Sequence, residues 1–172
     1  MATINYPSDL NHVFQGQTTF AGTTRLADGT VTDDAVASGA AIDAAKLDHQ
    51  YRLVLSQVTG TAATDETRIV HIAKGAGELV AAYGVADVAC IGDSTITIDV
   101  KKSHSGSAFA TLLNAVITLD SGDTAKTKVD GVPAGTATYA AGDVIEIVID
   151  ATAGNGTLGQ GVCAVAYLRE AA

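Results

Sequence analysis

From residue 51 onward almost every segment alternates apolar and polar side chains and is cut by Gly, Asp or Asn. Ile69-Val70-His71-Ile72, Thr95-Ile96-Thr97-Ile98-Asp99-Val100 and Val144-Ile145-Glu146-Ile147-Val148-Ile149-Asp150 set the pattern. A period of two sends successive side chains to opposite sides of an extended chain, so these segments are strands with one face buried. The alternation predicts strands near 51–58, 66–73, 77–84, 94–102, 109–119, 124–130, 143–151 and 161–169. Turn chemistry separates them, as at Lys74-Gly75, Gly92-Asp93, Asp120-Ser121-Gly122-Asp123 and Ala141-Gly142-Asp143. The stretch 85–93 is ambiguous between strand and loop. Strands so spaced, with no long helical pattern between them, predict an all-β fold, an antiparallel β-sandwich of jelly-roll or related Greek-key type with about eight strands. On this reading Ile145, Ile147 and Ile149 point into the core together, His71 shares the side of Ile69, and Lys102 stands at the outer end of its strand.

Residues 1–50 have a different texture, which predicts an extended N-terminal arm ahead of a β-sandwich domain over 51–172. Asp28-Gly29, between Leu26 and Val31, suits a small hairpin. The larger apolar side chains, among them Tyr6, Phe14, Phe20 and Leu26, are too widely spaced to build a core of their own. They suit pockets on a neighbour and are the candidate partner-interface residues. Ala40 to His49 holds strong helix formers, which predicts one short helix near 41–49 that must pack on something to persist.

Composition narrows the partners. The chain is 47% hydrophobic but only 5% aromatic and has no Trp, so the core is to be built from small aliphatic side chains. Charged residues make up 17%, against a usual quarter, and a surface rich in Thr, Ser, Gly and Ala suits packing against further copies or another protein. A net charge of −9 argues against nucleic acid, whose affinity for proteins comes largely from Lys and Arg on phosphates, and against an anionic membrane surface. No apolar run reaches the length of a membrane span, and the first residues have neither the basic nor the apolar region of a secretory signal. Cys90 and Cys163 are therefore expected as two buried thiols rather than a disulfide.

Candidate chemistry is sparse. His12, His49, His71 and His104 form no metal-binding pair, and the cysteines lack the spacing of a zinc site, so no metal ligand and no cofactor is expected. Asp120, Asp123 and Asp143 sit in turns, where calcium ligands often arise, but no Asp-x-Asp-x-Asp-Gly run is present and turn formation accounts for them. Ser103-His104-Ser105 places hydroxyls beside an imidazole in sequence, which does not make a triad, because the groups must converge in space. It reads as a strand end followed by a solvated turn. Gly154, Gly156, Gly159 and Gly161 match neither the dinucleotide fingerprint nor the P-loop and are expected to form a turn into the last strand. No catalytic constellation results, and the chain is expected not to be an enzyme.

Four segments carry a resemblance to a known family: Thr95-Ile96-Thr97-Ile98-Asp99-Val100-Lys101-Lys102-Ser103, Ala115-Val116-Ile117-Thr118-Leu119-Asp120-Ser121-Gly122-Asp123, Tyr139-Ala140-Ala141-Gly142-Asp143-Val144-Ile145-Glu146-Ile147 and Gly154-Asn155-Gly156-Thr157-Leu158-Gly159-Gln160-Gly161. Together with Leu26-Ala27-Asp28-Gly29-Thr30-Val31-Thr32 and the 40–47 segment, they resemble capsid decoration (cement) proteins of tailed bacteriophages, of the trimeric jelly-roll type. The resemblance implies a non-enzymatic virion protein, a homotrimer on the capsid exterior that meets the major capsid protein and neighbouring subunits through its N-terminal arm, after assembly in the host cytoplasm. The alternative reading is a head or tail fibre module whose β domain is a receptor-binding tip.

Overall fold

The computed structural model describes residues 49–170. Ten strands follow one another: β1 (His49–Ser56), β2 (Glu66–Ile72), β3 (Gly77–Val85), β4 (Thr95–Ser103), β5 (Ala110–Thr111), β6 (Ile117–Leu119), β7 (Val129–Gly131), β8 (Thr138–Tyr139), β9 (Val144–Thr152) and β10 (Cys163–Glu170). They form two antiparallel sheets. The first runs β1-β10-β3-β7 with β8 also on β3, and the second runs β2-β9-β4-β5 with β6 also on β4. The fold is all-β, and no helix occurs among the described residues. Of the helix expected at 41–49, residues 41–48 lie outside the described part, and His49 opens β1 instead.

Both sheets bury one face against the other, but they contribute different side chains. The second sheet supplies Ile96, Ile98 and Val100 from β4 and Ile145, Ile147 and Ile149 from β9, all essentially inaccessible. The inward alignment expected for the three β9 isoleucines is observed. Each such side chain, moved out of water, is worth about 1.5–3 kcal/mol. From the first sheet come Leu53 and Leu55 on β1, Leu79 and Ala82 on β3, and Ala164, Ala166 and Leu168 on β10. The centre of that sheet is lined by Ala and Gly, and this lets β-branched residues reach across from the other side. A Cβ on Gly84 would lie 2.7 Å from Ile98 Cδ1, and one on Gly131 would lie 2.8 Å from Ile117 Cδ1. Glycine is required at both positions by that close approach.

Where the strands differ from the alternation, local hydrogen bonding gives the reason. The segment expected to be one strand over 109–119 splits into β5 and β6. The Leu112 amide still donates to the Val100 carbonyl, but the Asn114 amide donates to the Val132 carbonyl, and the Ala134 amide donates to the Leu112 carbonyl. The chain thus crosses from the second sheet toward the edge of the first, burying Leu112 and Leu113. Residues 124–127 form a turn, with Lys126 at φ 62° and the Thr127 amide donating to the Thr124 carbonyl, so only Val129 and Asp130 of the expected 124–130 strand pair, and the strand ends at Gly131. The two-residue β8 has no signature in the sequence. The ambiguous 85–93 stretch is a loop beyond Val85, held by isolated bridges from Val88 to Gln160 and from Ile91 to Thr157.

Two β-bulges change which face the side chains use. On β2, Ile69 stands opposite Glu146 while His71 stands opposite Ile145, so one extra residue, Val70, reverses the alternation. His71 therefore lies on the inner side and Ile69 on the outer, contrary to the shared side that strict alternation predicts. On β3, Leu79 pairs with Leu168 and Ala81 with Tyr167, leaving Val80 as the extra residue. Lys102 also departs from its expected place. It stands opposite Ile145, on the inner side at the rim, and its ammonium donates to the Thr138 carbonyl.

Candidate functional site

Tyr6, Phe14, Phe20 and Leu26, the sequence candidates for partner contact, lie outside the described residues. Within them, the feature that calls for a function is the outer face of the first sheet. Register places Val54, Val165 and Tyr83 in one row across β1, β10 and β3, Arg52, Tyr167 and Ala81 in the next, and Ser56, Cys163 and Val85 toward the far end. The bulge turns Val80 outward as well. Val54 and Val80 are 42% and 49% exposed, and the other apolar members are half-buried against one another. Tyr83 and Tyr167 meet edge to face with ring centres 5.9 Å apart, and Lys128 Nζ lies 4.6 Å above the Tyr83 ring. Gln50, Val80, Ala81, Tyr83, Tyr167 and Leu168 line a shallow depression in this face. Antiparallel sheets of a sandwich ordinarily turn polar side chains to water. Here the central outward side chains are apolar, and the polar ones, Gln50, Arg52, Ser56, Glu78, Arg169 and Asp130, stand toward the border.

The second sheet shows the ordinary case. Its outward row Ile69, Glu146, Lys101 and Thr111 and its neighbour Thr67, Val148 and Asp99 are largely polar. Thr111 Oγ1 donates to Asp99 at 2.6 Å, and the Lys101 ammonium lies 4.0 Å from the same carboxylate. Burial pushes the Glu146 carboxyl above its ordinary range, Lys101 works against that, and the nearby Asp99 charge adds to it.

Polar groups elsewhere are committed to holding the fold. His71 Nε2 lies 2.6 Å from Glu170 Oε1, and the other Glu170 oxygen accepts from the Lys74 and Gly75 amides at 3.3 and 3.4 Å. The Tyr51 ring covers His71 with centroids 4.7 Å apart. Tyr139 completes this cluster, its hydroxyl donating to the Arg169 carbonyl at 3.4 Å. Burial, then the Glu170 charge, holds the Tyr139 phenol far above the ordinary tyrosine range. His71 is thus a structural histidine with its hydrogen bonding satisfied.

His104 does acquire a carboxylate partner, which sequence spacing did not reveal: its Nδ1 pairs with Asp143. The hydroxyls nearby have turn duties, Ser103 Oγ donating to the Ser107 carbonyl at 2.6 Å and Ser107 Oγ accepting from the His104 amide. The segment is the strand end and turn expected. Asp143 forms its own turn, accepting from the Ala140 amide at 2.9 Å. Burial pushes its carboxyl up, but the Ala140 amide and His104 together prevail and hold it below the usual range. Asp123 and Asp120 likewise accept turn amides, from Asp120 and Gly122 respectively.

The 154–161 glycines form a turn into the last strand. A Cβ on Gly156 would sit 1.9 Å from the Ile91 carbonyl, so glycine is what lets this loop lie against the 86–94 segment. Both cysteines are free thiols. Cys90 is in the core, as expected, receiving the Gly159 amide. Cys163 is only half-buried because its strand position faces outward, and burial raises its thiol while Arg52 acts in the opposite direction.

The apolar outer face escaped the sequence reading, though a signal exists. Cys163-Ala164-Val165-Ala166-Tyr167-Leu168 is apolar at both parities, so one face had to be covered by the core and the other left apolar. Comparison of the chain with protein-family models, with curated proteins and with solved structures gave no match.

Proposed function

We propose that the chain is a non-enzymatic structural protein of a phage virion, a jelly-roll that decorates and stabilises an icosahedral capsid as a homotrimer. The observation that carries the reading is the winding of the strands. With β5 and β6 counted as one strand and β7 and β8 as another, the chain changes sheet at every step but one, the step from β4 to β5 and β6 staying in the second sheet, and the two sheets order the eight strands 1-8-3-6 and 2-7-4-5. That is how a jelly-roll wraps, an architecture common among viral capsid proteins. The segments bearing the resemblance fit the same frame. Thr95–Ser103 is β4, and 115–123 holds β6 and its turn. Segment 139–147 runs from the end of β8 into β9, and 154–161 leads to β10. An arm with spaced apolar anchors ahead of β1 suits a protein that reaches neighbouring subunits, and many weak contacts multiplied by copy number then hold the shell. Fold alone does not fix function, so a particle must decide.

Cryo-electron microscopy of the virion is the test. Density at three-fold positions of the capsid exterior is the expected result. Density confined to a vertex or the tail would replace this reading with the fibre module. Phe14→Ala combined with Phe20→Ala is expected to lower particle occupancy, read by gel densitometry, while the melting temperature of the free protein stays nearly unchanged. Undiminished occupancy would shift the capsid contact from the arm to the sandwich.

A further inference from the structure

We infer that the apolar outer face of the first sheet is the surface on which a second copy of this chain packs. The inference rests on the homotrimer reading above and assigns the face that a three-fold axis would gather from each subunit. Three observations carry it. The first is the contrast between the two outer faces. The core between the sheets is complete without Val54, Val80, Tyr83, Val165 and Tyr167, so nothing in the folding of one sandwich requires their outward positions to be apolar. The opposite face, built from strands of similar length, is largely polar.

Charge is the second. The chain carries 10 basic and 19 acidic residues, yet the border of this face carries more basic than acidic side chains. Arg52 lies on the β1 edge, Arg169 pairs with Glu78, and Lys128 pairs with Asp130 toward the β7 edge. Another copy approaching elsewhere meets the net negative charge of a like molecule, and here it meets a balanced rim. Arg52 makes no ion pair among the described residues, and Asp130 at the opposite edge is exposed. Docked copies can bring these two edges together. Association between identical acidic proteins is least opposed where the acids are fewest.

The third is the chemistry of the patch itself. An apolar centre with a charged rim and two tyrosines in mutual contact is the anatomy of a protein interface, in which aromatic side chains supply the anchoring contacts. Closed cyclic symmetry buries one such face from every subunit and leaves none for open-ended growth.

The experiment uses the full chain. Sedimentation over a concentration series is combined with the rate at which iodoacetamide alkylates Cys163, the cysteine on this face. Wild type is expected to sediment as a trimer with slow alkylation that accelerates on dilution. Val165→Asp and Tyr83→Asp, two outward positions on different strands, are expected to weaken association by about a hundredfold or more, as loss of a central interface contact does. Both should keep β-type circular dichroism and a cooperative melt. Ile69→Asp, on the other outer face, should leave the trimer intact. Trimers in both sheet-face variants would overturn the assignment while leaving the homotrimer standing. A wild-type monomer with concentration-independent alkylation would overturn the homotrimer as well. A monomer in which deleting residues 1–48 speeds alkylation would make the chain's own N-terminal segment the occupant, and that too overturns the proposal.

Discussion

The Nε2 atom of His71 lies 2.6 Å from Oε1 of Glu170, tying an edge strand of the second sheet to the last strand of the first through a carboxylate that is 1% exposed. Apart from that imidazole, the Glu170 carboxylate has the two long contacts from Lys74 and Gly75 and the neighbouring Tyr139 hydroxyl. Removing one member of a buried pair is costlier than removing both, because the survivor stays desolvated. We expect His71→Leu to destabilise by about 3–5 kcal/mol and the double variant with Glu170→Leu to recover much of that loss. Urea unfolding of the four members of the cycle checks it, and a double variant as weak as the sum of the singles would refute the coupling.

Tyr139 sets an alkaline limit. Its phenol is held above the ordinary value of 10.0 in the folded state, with burial the first cause and the Glu170 charge next. A group whose pKa is raised on folding contributes its stability below the unfolded pKa and loses it as pH rises beyond. Stability should therefore fall above about pH 10, where the unfolded chain releases a proton that the folded chain retains. Tyr139→Phe should flatten this fall, and equal alkaline slopes in denaturant titrations would dismiss the tyrosine as its source.

Asp143 sets the corresponding acid limit with the opposite sign. Its pKa is lowered from the ordinary 3.8, since the Ala140 amide and His104 outweigh burial. Its contribution is present above that value and is lost as pH falls through the lowered one. Asp143→Asn should be less stable than wild type near neutrality, and the gap should narrow below about pH 4. Melting curves from pH 6 down to 2 make the comparison.

Ile147 and Lys102 distinguish core from rim. Ile147→Asp places an unpaired carboxylate where nothing is exposed and should cost more than about 4 kcal/mol. Strict alternation makes Lys102→Asp nearly free. The observed bond to the Thr138 carbonyl, together with the positive charge that Lys102 directs at Asp143, raises the expectation to about 1–2 kcal/mol. Chemical denaturation of both variants against wild type gives the two losses, and comparable values would contradict this placement.

Alternation made the long strands legible because each has one face fixed by burial, as Ile145, Ile147 and Ile149 illustrate. It could not find what depends on partners distant in the chain. The two-residue β8 exists because Tyr139 pairs with Gly77, and the break between β5 and β6 exists because Asn114 bonds to Val132. Bulges defeated it differently. A single extra residue at Val70 moved His71 to the inside, where Glu170, 99 positions later, was waiting. Of the candidate surface, the apolar parity of β10 was readable, but its alignment with Tyr83 and Val54 required the register.

Gly84 offers a test of how the sheets fit. Gly84→Ala drives a methyl to 2.7 Å from Ile98 Cδ1, an overpacking expected to cost about 1–3 kcal/mol. Ile98→Val removes that atom, so the pair should be less destabilised than the sum of the two changes. Additive losses in thermal melts would show that the contact relaxes by another route.

The same contact has a mechanical meaning for the apolar face on the far side of the sheet. Tyr83 and Gly84 are adjacent on β3, one turned outward and the other resting on the isoleucines of the second sheet. No long side chain lies beneath the backbone there to act as a cushion. Beneath Tyr83 and Val165, where Ala82, Gly84, Ala164 and Ala166 face inward, the platform is a plate resting directly on branched side chains of the second sheet, with few rotamers of its own to shift. A partner docking on such a plate has little backbone or rotamer freedom to quench. Even a modest apolar area can then hold copies together, and a lost methyl in the bed beneath would be felt at the surface as slack.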